Sequence, residues 1–129
     1  MRIKTEINQG KNVRVHIVTG KFDTNTLFRT LTEMYNKFKF SSDMNVLWDF
    51  RATEDIAIVS LSELNKIITL VSRNWGKKSS RKAALVVSRK VDFGLARLYE
   101  QSVEAQSNSK IKVFTDIKKA VSWIDQNSF

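Results

Sequence analysis

The 129-residue chain is 42% hydrophobic and 27% charged, the balance of a folded protein rather than a disordered one. It has no cysteine, which excludes disulfides, thiolate metal sites and a cysteine nucleophile, so the fold must be held by its core. Its 22 Lys and Arg against 13 Asp and Glu leave a net charge of +9, which favours anionic partners such as nucleic acid, an acidic protein, phosphate groups or a membrane surface.

The length is that of one domain over residues 1–129, able to bury roughly two-thirds of the surface the unfolded chain exposes. No apolar run in the opening MRIKTEINQG suits a signal peptide. No stretch approaches the roughly 18 to 20 apolar residues of a membrane span, so the chain is expected to be cytoplasmic. Proline is absent and glycine occurs four times, so element boundaries have to be read from periodicity and caps.

RIKTEINQGKNVRVHIVTG alternates, with Ile3, Thr5 and Ile7 and then Val13, Val15 and Ile17 on one face. NQGKN between them is a turn in which Gly10 is available for a positive φ, and the whole predicts a β-hairpin. Asp23 or Thr24 then caps a helix whose stripe is Leu27, Phe28, Leu31, Tyr35 and Phe38. MNVLWDF is nearly continuously apolar and predicts a buried strand. RATEDIAIV is an irregular connection, and Ser60 with Glu63 forms a capping box ahead of Leu61, Leu64, Ile67, Ile68 and Val71, a helix that stops near Gly76.

KAALVVS is a further short strand, and a helix from about Asp92 to Ala105 follows it with Leu95, Leu98, Tyr99 and Val103 as its buried stripe. KIKVFTD is the last strand, and Thr115 or Asp116 caps a closing helix, IKKAVSWIDQ. The order ββαβαβαβα predicts an α/β fold with a single mixed β-sheet, mostly parallel after the N-terminal hairpin and flanked by four helices.

VDFGLARLYE, from Val91, has the look of a protein-kinase activation-loop start. A kinase also needs a glycine-rich phosphate loop, a strand lysine and a His-Arg-Asp loop, and the chain has none of them. Its one histidine, His16, lies in an alternating strand. Asp92 instead reads as a helix cap, and Gly94 as a point of close backbone approach in the first turn.

Between Glu63 and Asp92 no carboxylate occurs, and Lys77, Lys78, Arg81, Lys82, Arg89 and Lys90 form a candidate basic patch. Aromatics do not interleave residues 77–90, which disfavours nucleic acid. The basic segment 77–82 with the apolar segment 56–59 carries a second reading, association with a lipid or anionic membrane surface. Asp49, Glu54 and Asp55 lack a neighbouring histidine and read as a solvated acidic stretch. Trp48, Trp75 and Trp123 read as core or rim. No nucleophile–base pair is visible, and neither a metal nor a cofactor is expected.

NVLWDFR on a central strand, DFGLARLYEQ opening a helix and IKVFTDIKKAVSWI at the end resemble the SpoIIAA-like branch of the STAS domains. The most specific part is Val113, Phe114, Thr115 and Asp116 followed by Ala120, Trp123 and Ile124. The resemblance covers nearly the whole chain. It implies a regulatory interaction module with no enzymatic activity. It also implies a kinship to the hydrophobic-ligand-binding Sec14 fold and lipid or membrane association at the inner face. In the antagonist members a serine at a helix start is phosphorylated. Ser60, with Ser62 second, holds that position, but IVSLSEL lacks the Asp-Ser followed by a small residue, so Ser60 reads as a plain N-cap.

Sites in open α/β sheets lie beyond the carboxyl ends of parallel strands. Here that edge gathers Asp49, Arg51, Ile56, Ile58, Ser60, Ser62, Asp92 and Gly94. The expected occupant is a protein partner or a small apolar or anionic ligand, with peripheral membrane contact and a homodimer as further expectations.

Overall fold

The computed structural model describes residues 1–8, 10–37, 44–54, 60–75, 82–88, 97–101 and 110–126. Its elements are β1 (Arg2–Asn8), β2 (Val13–Lys21), α1 (Thr24–Lys37), β3 (Asn45–Glu54), α2 (Leu61–Trp75), β4 (Lys82–Val86), a helical stretch α3 (97–101), β5 (Lys110–Phe114) and α4 (Ile117–Asp125). One five-stranded sheet runs β1-β2-β3-β4-β5, with β1 antiparallel to β2 and every other pair parallel. The mixed sheet expected from the element order is what forms.

Both faces of the sheet are covered. On one side Val18, Val46, Trp48, Ala83, Leu85, Ile111 and Val113 pack with Leu27 and Leu31 of α1 and Ile67, Ile68 and Val71 of α2. On the other, Val13, Leu47, Ala84 and Val86 pack with Ala120 and Ile124 of α4. This double burial is why β3 and β4 read as apolar runs rather than alternations.

The hairpin departs from expectation. Asn8 pairs with Val13, and the register places Ile3, Thr5 and Ile7 across from Val18, His16 and Arg14. Cross-strand partners share a face, so Val13, Val15 and Ile17 lie on the opposite, α4 side. Because side chains alternate with period two, the turn length alone decides this, and one residue more or less would exchange the faces. The turn is set by Asn12 rather than Gly10: Asn12 has φ 53°, and the Asn8 side-chain oxygen accepts the Lys11 N–H at 3.1 Å. Asparagine enters the left-handed region more readily than other non-glycine residues.

Two helical stripes also shift. In α1, Met34 is buried beside Leu27 and Leu31, whereas Phe28 is 38% exposed. In α3, Leu98 is 41% exposed, while Tyr99 packs on the first core cluster and Glu100 is buried. Arg97 donates to both Glu100 carboxylate oxygens at 3.2 Å, so the buried acid is paired. Burial pushes the Tyr99 phenol well above its ordinary value, and neighbouring Tyr35 adds to the effect. Periodicity locates an amphipathic face to within about one position, and the helix's seating on the sheet then selects among the candidates.

Candidate functional site

The parallel strands all end at one edge, and the starts of α1, α2 and α4 follow from it. At α1 the cap is Asp23: its carboxylate accepts the Asn25 N–H at 3.1 Å and the Thr26 hydroxyl at 2.6 Å. The Thr26 hydrogen bond is the main reason its carboxyl sits below the usual range. At α2 the expected capping box is formed. The Ser60 hydroxyl accepts the Glu63 N–H at 3.1 Å and donates to the Glu63 carboxylate at 3.1 Å. Hydrogen bonds from Thr24 and then Ser60 hold the Glu63 carboxyl below its ordinary value. Thr24 is the first residue of α1, so the start of α1 influences the Glu63 carboxyl at the start of α2.

Asp49 and Arg51 build a second feature. Ile17 pairs with Asp49 but Thr19 pairs with Ala52, so two residues of β3, Phe50 and Arg51, stand opposite Val18. Such a bulge re-aims a side chain. Arg51 turns back onto Asp49, donating from Nε and Nη2 at 2.9 Å each, while its backbone N–H reaches the same carboxylate at 3.1 Å. The Thr53 hydroxyl donates to the Val18 carbonyl at 3.1 Å on the other side of the irregularity. Burial of Asp49 opposes its ionisation, but the hydrogen bonds and charge of Arg51 outweigh that and keep the carboxyl low. Replacing Arg51 with Ala removes the guanidinium and its charge but keeps the backbone N–H that also lowers the carboxyl. The Asp49 carboxyl should then titrate higher than in the wild type in a carbon-detected NMR titration, and an unchanged titration would show that the fork does not set its charge.

No protein-family model matches the chain, and no curated protein matches it. Solved structures do. An uncharacterized protein from Shewanella loihica PV-4, of the DUF3478 family and with a SpoIIAA-like fold, superposes with a TM-score of 0.59 at 17% identity, over 95% of this chain and 92% of that one. The protein TM1081, solved by NMR, gives 0.58 at 11% identity, over 98% and 91%. The fold is SpoIIAA-like. At these identities the likeness is one of architecture alone.

On this SpoIIAA-like frame the expected edge residues are brought together only in part. Ser60 and Ser62 are exposed at the start of α2. Asp49 precedes the bulge and shares a face with Leu47, so the Asp49–Arg51 corner lies on the α4 side, across the sheet from α1 and α2. Ile56, Ile58, Asp92 and Gly94 lie outside the described residues, as do Lys77, Lys78, Arg81, Arg89 and Lys90. Lys82 is described, and it corrects the reading of a surface basic patch at that position. Its ammonium is buried against α4, donating to the Trp123 carbonyl at 3.1 Å and the Gln126 carbonyl at 2.7 Å, with the Trp123 ring centroid 5.4 Å away. At the other end of α4, Asp116 is the cap, its carboxylate accepting the Lys118 N–H at 2.8 Å.

The polar group that sequence reasoning missed sits inside the SpoIIAA-like core. Arg14 and His16 are almost wholly buried on the α1 and α2 side. Arg14 Nε donates to His16 Nε2 at 2.8 Å, which makes Nδ1 the protonated nitrogen and directs its hydrogen to the Thr5 hydroxyl, also at 2.8 Å. Burial first, and the Arg14 charge second, lower the His16 pKa to about 3. The ring lies 4.2 Å from Trp48, and Trp48 stacks on Phe50 at 5.7 Å. VRVHIV sets Arg14 and His16 at alternate positions, the pattern of a strand with one wet face, so nothing local marked them as buried.

Two open grooves flank the helices. One of about 620 Å³ runs along the outer side of α4 past Ile117, Val121 and Asp125, and one of about 340 Å³ lies past Phe28 of α1 and Ser62, Lys66 and Thr69 of α2. Among the described residues no group of three or more His, Cys, Asp or Glu is placed to hold a metal ion, and no helix is long and apolar enough to cross a membrane.

Proposed function

We infer that the chain is a regulatory interaction domain that engages a protein partner through the carboxyl edge, at the start of α2 and, on the opposite face of the sheet at the same edge, the Asp49–Arg51 corner. The observation that carries this reading is the exposed Ser60–Glu63 box. A single hydroxyl there both accepts the N–H that starts α2 and donates to the Glu63 carboxylate. A surface of this kind responds to a change at one residue. A phosphate on Ser60 would gain the positive end of the helix while repelling Glu63, and a docking partner would meet a different edge.

Support for a non-catalytic reading comes from His16. It is the one histidine in the chain, it is fully buried, and both ring nitrogens are engaged, so it is no exposed general base.

Photo-crosslinking residues placed at Ser62, at Arg51 and at Asn36 test the site in the protein's own cells. The same protein adduct is expected from Ser62 and Arg51 and none from Asn36, which lies near the far end of α1. Equal labelling from all three positions, or none from any, would overturn the assignment. A bound small molecule in place of a protein would show as a discrete mass addition in native mass spectrometry.

A further inference from the structure

β1 is an edge strand of seven residues, and among the described residues it pairs on one side only, with β2. Proteins usually blunt such an edge with proline, a bulge, a short strand or charged side chains, and of these β1 has only the charges of Arg2, Lys4 and Glu6. Here the register with β2 is unbroken from Arg2 to Asn8, and the chain contains no proline. Ile7 is left 49% exposed on this strand, while Ile3 is half-buried.

What the edge carries is a sequence complementary to itself. RIKTEIN laid antiparallel on a second copy, centred on Thr5, places Ile3 opposite Ile7, Lys4 opposite Glu6 and Arg2 opposite Asn8. Each apolar residue meets an apolar residue, and each charge of the Lys4 and Glu6 pair meets its opposite. Lys4 and Glu6 are already 3.4 Å apart within one chain, with side chains largely exposed. A second copy would complete an alternating cluster of four charges on one face and cover both Ile7 side chains on the other. Directly opposed apolar and opposite-charge pairs are what stabilise an antiparallel ladder.

We propose that β1 pairs antiparallel with β1 of a second copy about a twofold axis at Thr5, joining the two sheets into one. A twofold contact of this kind is self-complementary and closed, so it stops at a dimer. The net charge of +9 on each chain opposes any association, which makes the local complementarity of β1 the deciding feature. The pairing stands apart from the carboxyl-edge reading and does not depend on it.

Sedimentation of the full chain at about 0.15 M salt, where distant charges are screened, tests the pairing. Wild type is expected to show a concentration-dependent dimer. Lys4→Glu and Glu6→Lys each turn two attractive pairs into two like-charge pairs and should raise the dissociation constant about tenfold or more. The double exchange K4E/E6K restores opposite charges across the axis and should recover the dimer. Because the chain has no cysteine, Thr5→Cys should form a disulfide-linked dimer on oxidation, and Arg2→Cys, which faces Asn8 rather than itself, should not. A monomer at every concentration, a dimer indifferent to the single exchanges, or a double exchange that fails to recover it would each overturn the proposal. Circular dichroism of each variant separates lost pairing from lost folding.

Discussion

Between pH 6 and pH 5 the protein should lose stability at a rate approaching 1.4 kcal/mol per pH unit, about the value for uptake of one proton on unfolding. The proton belongs to His16. Its folded pKa is depressed to about 3, whereas the unfolded chain takes up that proton near 6.5. A depressed histidine contributes its full stability above the unfolded value, and the contribution drains as pH falls toward the folded one. Asp23, Asp49 and Glu63 have lowered carboxyls, so their share is lost at lower pH, through the carboxylate range.

The effect can be isolated because the chain has one histidine. In His16→Gln the amide oxygen can accept from Arg14 Nε and the amide N–H can donate to Thr5, so both hydrogen bonds have a replacement without a titrating ring. Urea midpoints for this variant should be flat between pH 6 and 5. His16→Leu removes the acceptor and should cost about 2–3 kcal/mol at pH 7, because a charged donor loses a buried hydrogen bond. A wild-type curve that is flat in this window, or a slope that survives in His16→Gln, would mean that the ring is not held neutral by the core.

Lys82→Met should destabilise the protein by about 2–3 kcal/mol and loosen the last turn of α4. Methionine matches the length of the stem but leaves the Trp123 and Gln126 carbonyls without their ammonium donor, and a charged hydrogen bond to a helix end is among the stronger local contacts. The contact with the Trp123 ring is lost as well. Faster amide exchange at residues 120–126, together with a lower urea midpoint, is the expected signature. Lys118→Met on the exposed side of α4 serves as the comparison and should be nearly neutral. A Lys82→Met protein within about 0.5 kcal/mol of wild type would show that α4 closes on its own.

Local chemistry made much of this legible in advance. Ser60 and Glu63 are three residues apart ahead of an apolar stripe, and they form the box that spacing demands. Asp116 precedes the closing helix and caps it. NVLWDF and KAALVV are too uniformly apolar for a one-sided strand, and both are covered on two faces. These signals lie within a few residues of one another, so no knowledge of the rest of the fold is needed to interpret them. The bulge at Phe50 and Arg51 left no such mark, since nothing local to RAT says that β2 will advance one residue while β3 advances two.

The sequence by itself determined the order of the elements, the caps of α1, α2 and α4 and the mixed sheet, because hydrophobic period and capping chemistry are short-range properties of the chain. Only the tertiary structure decided which face each polar residue would occupy. Arg14 and His16 are core because a four-residue turn sets the hairpin register and α1 and α2 then cover that side. Lys82 is a helix clamp rather than a surface charge because α4 returns across β4 and ends above it. Parity and docking are long-range consequences of the fold, and a charge pattern along the chain does not contain them.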